Sequence, residues 1–208
     1  MDYLEVLNSI LLPTSYLAPI YYYAVLFQYN NCMFEHHEHF IKQSLRNRCQ
    51  IYGANGKILL TIPKERKGSS KTKIRDIKIT YKENWQQEHW KAIKSSYNSS
   101  PFFDYYQDDL NVFFKQKETY LVDFNKKLQE LILSFLHKKI TYTATNKYII
   151  SDDFTDLREH LFTNKNQKRY DQVFMEKHGF IANLSIIDLL FNLGPESSDY
   201  LQEMDLNI

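Results

Sequence analysis

Leu11-Leu-Pro-Thr-Ser-Tyr-Leu-Ala-Pro-Ile-Tyr-Tyr-Tyr-Ala-Val-Leu-Phe-Gln28 is the stretch whose reading decides the fold. It continues a short apolar run that begins at Leu4, includes β-compatible Val6 and Ile10, and ends at Pro13, which is the pattern of a buried strand. Thr14 or Ser15 is placed to cap a helix that Pro19 enters in its first turn, with Ile20, Tyr23, Ala24 and Phe27 at helical spacing. After an Asn30-Asn31 turn, Cys32-Met-Phe-Glu-His36 reads as a second strand, and the crossover makes the two strands parallel. Strand, tight turn and helix N-terminus in that order also suit an anion, because the first N–H groups of a helix lack partners. An ordinary β-α unit without a ligand has the same pattern.

Outward from this start, Gln50 to Tyr52 and Lys57 to Ile62 flank Gly53-Ala-Asn-Gly56, a β-hairpin with Asn55-Gly56 as turn signal. Lys64 to Lys73 is a polar basic loop, Ile74, Ile77 and Ile79 suggest a strand, and Asn84 to Tyr97 a helix. A helical stretch from Pro101 reaches about Phe114, and Tyr120 to Leu136 is the longest patterned helix, with Leu121, Phe124, Leu128 and Ile132 on one side. Ile140 to Thr145 is β-branched and strand-like, and polar Asp152 to Arg169 holds a short helix around Leu157 to Phe162. The alternation predicts an α/β layered fold: a mixed sheet with a β-α-β start, a hairpin and helices packed around it, as one domain over residues 1–208.

Between Gly179 and Gly194 the polar residues are Asn183, Ser185, Asp188 and Asn192. A helix here is apolar on almost all sides and therefore buried, and positions 185, 188 and 192 form a polar seam on it. Buried polar groups need partners, so the seam faces bonding groups, a ligand or its own first turn.

Composition excludes several function classes. Lys+Arg 26 against Asp+Glu 25 gives a net charge of +1, so no global field draws the chain to nucleic acid or an anionic membrane. A small-molecule substrate is the expected partner, and any anion site is local. Cys32 and Cys49 have neither C-x-x-C spacing nor a ligand set around them, which fits free thiols in a reducing compartment. The acidic N-terminus and the lack of a long apolar run predict a cytoplasmic protein without membrane insertion. Walker, Gly-x-Gly-x-x-Gly and Gly-x-Ser-x-Gly patterns are absent, so no dinucleotide cofactor, kinase or serine-hydrolase reading has support. His36, His37 and His39 point to different sides of any regular element and make a poor metal site.

The chain resembles the WbqC-like family, bacterial proteins associated with O-antigen and other surface-polysaccharide biosynthesis. The anchors are Pro13-Thr-Ser-Tyr-Leu-Ala-Pro19, Phe40-Ile-Lys-Gln-Ser-Leu-Arg-Asn-Arg48, Asn55-Gly56 into Leu60-Thr-Ile-Pro63, Trp85 through Trp90, Tyr97 to Phe103, Tyr170-Asp-Gln-Val-Phe and Asn183 to Pro195. Family members commonly carry His-Gln-Pro at the end of the first strand, where Leu11-Leu12 precede Pro13 here. If that histidine is a base in relatives, this chain uses another group, such as His37, or has lost the step.

Three sets of residues carry candidate chemistry. Asp188 is either an acid/base carboxylate with a pKa raised by burial or the partner of Ser185 in a capping exchange. Arg46 and Arg48, sharing one face of a strand with Lys42 and Asn47 nearby, make either a clamp for a diphosphate or a charged strand edge. His37 with Glu38 is the other acid/base candidate, although adjacent residues on a strand face opposite ways. Tyr16 and Asn192 complete the expected substrate contacts, although Asn192 also suits the helix exit at Gly194. The resemblance implies surface-glycan assembly, and the residue chemistry suggests a group transferase acting on a nucleotide-linked or amino sugar. The alternative is a non-catalytic binding module of a glycan-assembly complex.

Overall fold

The computed structural model describes residues 9–65, 71–150, 153–159 and 167–206. Strand β1 (Ser9–Pro13) is buried along its whole length, helix α1 (Ile20–Gln28) crosses over, and β2 (Cys32–Glu35) returns parallel to β1 with Ile10 opposite Cys32 and Pro13 opposite Glu35. Two further short strands join in parallel, β5 (Thr143–Ala144) on β2 and β6 (Phe154–Asp156) on β1, giving the order β5-β2-β1-β6. A separate antiparallel hairpin pairs β3 (Arg48–Gly53) with β4 (Gly56–Thr61). The fold is α/β, with the β-α-β start and the hairpin expected from the sequence.

Helix α1 is buried on every side from Ile20 to Phe27, as a helix without a polar face must be. Its start differs from the expected one. Pro19, not Thr14 or Ser15, is the N-cap, and residues 14–18 form a loop in which Leu17 has φ 41°. Thr14 and Ser15 are occupied elsewhere: Thr14 Oγ1 accepts from Asn125 Nδ2, and Ser15 Oγ donates to the Leu45 carbonyl. The Tyr22 hydroxyl donates to the Pro13 carbonyl at 2.8 Å and so ties α1 to the end of β1.

Helices α2 (Trp85–Tyr97), α3 (Phe103–Val112) and α4 (Leu121–Phe135) follow the apolar periodicity. Asn125, buried on α4, also donates to the Arg46 carbonyl at 2.8 Å, which fixes the loop ahead of β3. Ile74 to Ile79 is not a strand: Ile74–Asp76 is a 3-10 turn, with single bridges at Lys78 and Ile79. Leu157 to Glu159 is not helical, and the rest of the short helix expected around it lies outside the described residues, as does the start of the first strand. After α5 (Met175–His178), the stretch from Gly179 reaches helix only at α6 (Ile186–Leu193), eight residues long, then a 3-10 turn and α7 (Ser197–Gln202). Gly194 ends α6 at φ 55°, with the Phe102 ring where a Cβ would stand, so both backbone and packing require glycine. No helix among the described residues is long and apolar enough to cross a membrane.

Candidate functional site

The strand order reverses around β1, since the chain moves first to β2 on one side and later returns as β6 on the other. Ligands of open parallel sheets bind beyond the carboxyl ends of the strands at such a point. Here those ends are Pro13, Glu35 and Asp156, and a cavity of about 510 Å³ beyond them is lined by His37, Glu38, Lys73, Tyr148, Asp156, Arg158 and Glu159 among others.

Two guanidinium groups organise it. Arg158 clamps Asp156 from Nε and Nη2 and reaches Glu35 Oε2 through Nη1 at 3.3 Å. Glu35 is fully buried and saturated: Oε1 accepts from the His37 N–H at 2.7 Å and the Thr145 hydroxyl at 2.9 Å, and Oε2 also accepts from the Ile149 N–H at 3.1 Å. It thereby ties the segment following β2 to the segments beyond β5 and β6. Arg46 makes the second clamp, on Glu38, and its Nη2 also donates to the Arg158 carbonyl at 3.3 Å. Burial alone would raise the Asp156 carboxyl, but the Arg158 side chain and N–H outweigh it and hold it low. At Glu38 the balance is opposite, with burial raising the carboxyl against the pull of Arg46.

The three neighbouring histidines have separate surroundings. His36 Nε2 meets the Tyr142 hydroxyl at 2.8 Å, and its pKa is lowered chiefly by burial. His37 Nδ1 lies 3.2 Å from Arg75 Nη1; since arginine only donates, His37 accepts there and carries its proton on Nε2. His39 is exposed and its backbone bridges to Lys73.

Of the residues singled out from sequence as candidate chemistry, His37 and Glu38 line this cavity, with Arg46 buried behind Glu38. Arg46 and Arg48 do not share a strand face, because β3 begins at Arg48 and Arg46 sits in the turn before it. Arg48 lines a different cavity together with Ser185. Asn47 Nδ2 donates to the Ile62 carbonyl, and Lys42 is exposed. Tyr16 is fully buried and meets His89 Nδ1 at 2.9 Å.

Asp188 stands in a third place, with no solvent exposure. Oδ1 accepts from the Tyr97 hydroxyl at 2.9 Å, and Oδ2 accepts from the Tyr170 hydroxyl at 2.5 Å and Gln172 Nε2 at 2.8 Å. The polar seam is therefore bonded by donors from α2 and from the 170–172 segment, not by Ser185, which makes no side-chain cap bond, and not by Arg46. Burial raises the Asp188 carboxyl to about 6, against the pull of these three donors. Asn192 Nδ2 donates to the Asp188 carbonyl at 2.7 Å, and Asn192, Tyr170 and Gln172 line an open cleft of about 730 Å³.

Glu35, Tyr148, Asp156 and Arg158 are site residues that sequence reasoning missed. The available signal was slight: Phe154-Thr-Asp-Leu157, a polar pair between two apolar residues inside a polar stretch, has no period-2 alternation to mark a strand.

Fold and site together define an α/β protein with a charged cavity at the switch point of a parallel sheet. The model of the WbqC-like protein family matches residues 14–161 and 137–200, and the chain belongs to that family. It is also similar to the Uncharacterized protein Rv1507c of Mycobacterium tuberculosis (strain ATCC 25618 / H37Rv), 26% identical over 194 residues, covering 78% of this chain and 84% of that protein. No solved structure matches.

Proposed function

We propose that the protein is an enzyme of surface-polysaccharide assembly, a group transferase acting on a nucleotide-linked or amino sugar, with the sheet-edge cavity as its site. The pathway comes from the resemblance to O-antigen-associated proteins. The chemistry comes from one observation: the cavity joins cations, carboxylates and an aromatic face. Arg158 lies 4.8 Å over the Tyr148 ring, and Tyr148 remains 47% exposed, so its face is available to the C–H side of a sugar. Glu159 suits an ammonium group and Lys73 a phosphate or carboxylate, while Arg158 and Asp156, bonded to each other, shape the floor between them.

His37, with its proton on Nε2, offers a neutral donor to a substrate oxygen, and exposed Glu159 takes the part of proton acceptor. Arg46, Glu38 and Glu35 hold these groups in place from behind.

A thermal-shift screen against nucleotide-linked amino sugars, acyl donors and nucleoside triphosphates tests the reading. A ligand at a hundred times its Kd should raise the melting temperature by about 5–10 °C for a chain of this size. Tyr148→Ala should cut that rise by about a quarter to a half, with the unliganded stability changed by less than about 1 kcal/mol. Stabilisation by none of the panel contradicts the transferase reading, and stabilisation without product formation favours the binding module.

A further inference from the structure

A second cavity, of about 380 Å³, shares no lining residue with the sheet-edge cavity and lies where the hairpin meets the starts of two helices. Pro19, the N-cap of α1, and Ser185, the N-cap of α6, both line it and are bridged to one another. Each helix start contributes partial positive charge, roughly half an elementary charge. Several of the first N–H groups are already bonded, Ile20 to the Leu184 carbonyl, Tyr21 to Asn183 Oδ1 and Ile186 to the Ala18 carbonyl. The helices therefore supply field, and other groups must supply donors.

Those donors are present without partners. Ser185 is 2% exposed and its hydroxyl has no hydrogen-bond partner, and Arg48 Nε is buried and likewise unpaired. Buried polar atoms are rarely left so. Lys57 adds a second cation from β4, and no aspartate or glutamate stands among the described lining residues. Leu17, Leu45 and Leu59 form an apolar wall beside this polar end.

We propose that this cavity binds the phosphate group of a small phosphorylated molecule, held by Arg48, Lys57 and the Ser185 hydroxyl between the two helix starts. The assignment stands apart from the sheet-edge reading and does not rest on it. An unpaired guanidinium nitrogen and a hydroxyl, with no competing carboxylate and two dipoles of one sign, select an anion over a neutral ligand. The leucine wall takes the remainder of the molecule.

Pyrophosphate titrated into the whole protein by calorimetry, at ionic strength held constant with sodium chloride, is the test. One saturable site is expected, weakened about tenfold by Arg48→Gln, about fivefold by Lys57→Gln and about threefold by Ser185→Ala, as lost charge-assisted and neutral hydrogen bonds predict. Lys57 is exposed, so its substitution keeps the fold and remains decisive should Arg48→Gln fail to fold. Absence of saturable binding overturns the proposal, as does binding that Lys57→Gln leaves unchanged.

Discussion

Arg46 grips Glu38 through two guanidinium nitrogens, Nε to Oε1 at 2.6 Å and Nη2 to Oε2 at 2.5 Å, with the two side chains only 3% and 6% exposed. The contact closes the loop between β2 and β3 beneath the sheet-edge cavity. A guanidinium so committed organises a site more readily than it meets a ligand. The pair lies eight residues apart, and its loop turns through Gln43 at φ 58°.

Breaking this pair should cost far more than its net contribution. Arg46→Ala leaves the Glu38 carboxylate buried without its partner and should lower stability by about 3–5 kcal/mol, read by urea denaturation. Replacing both residues with methionine should recover most of that loss, because well-packed apolar groups can substitute for a buried pair. A loss under about 1 kcal/mol for Arg46→Ala would show that solvent reaches the pair.

Asp188 makes stability fall as pH rises. Its carboxyl is raised from 3.8 to about 6 in the fold, so between those values the folded state binds more protons than the unfolded chain. The contribution is fully present below about pH 4 and is lost as pH climbs past 6, by a total on the order of 3 kcal/mol. Asp188→Asn should flatten that part of the stability profile. An unchanged slope in the variant would place the titration elsewhere.

His89 works in the opposite direction. Burial lowers its pKa to about 4, although a backbone bond to Thr61 opposes the shift, and its Nδ1 receives the Tyr16 hydroxyl. Its contribution is present above the unfolded value near 6.5 and is lost as pH falls toward 4. His89→Gln should remove that acid-side loss, and with Asp188 intact the variant should then be more stable at pH 4.5 than at pH 7, relative to wild type. Denaturation midpoints at the two pH values check the sign.

Tyr148 separates ligand binding from folding. It is 47% exposed and, among the described residues, stacks with Arg158, so Tyr148→Ala should change stability by less than about 1 kcal/mol. Loss of the aromatic face should weaken a bound sugar about threefold to tenfold, whereas Tyr148→Phe should keep most of the affinity. Equal weakening by both variants would assign the effect to the hydroxyl.

The fold was legible where periodicity and burial agree. Leu11 to Gln28 predicts β1 and α1 because a strand and a helix without polar faces have one place to go, the interior. The helix start was misread, since Thr14 and Ser15 are good caps in isolation but bond Asn125 and Leu45, more than 25 residues away. Asp188 was recognised as a buried polar group, while its partners come from residues 97, 170 and 172 and follow only from packing. Arg158 and Asp156 were not found because β6 has three residues and owes its strand conformation to pairing with β1. Arg48 lines the cavity beside the two helix starts, but its expected companion, Arg46, is bound to Glu38 instead.

Hydrogen–deuterium exchange with and without a nucleotide-linked amino sugar identified in the screen tests the central claim most directly. The sheet-edge account predicts added protection at residues 35–39, 145–149 and 154–159, where the backbone N–H groups of His37 and Ile149 bond Glu35 and that of Arg158 bonds Asp156. Protection confined to the cleft around Tyr170, Gln172 and Asn192, with none at the carboxyl ends of β2 and β6, would contradict it.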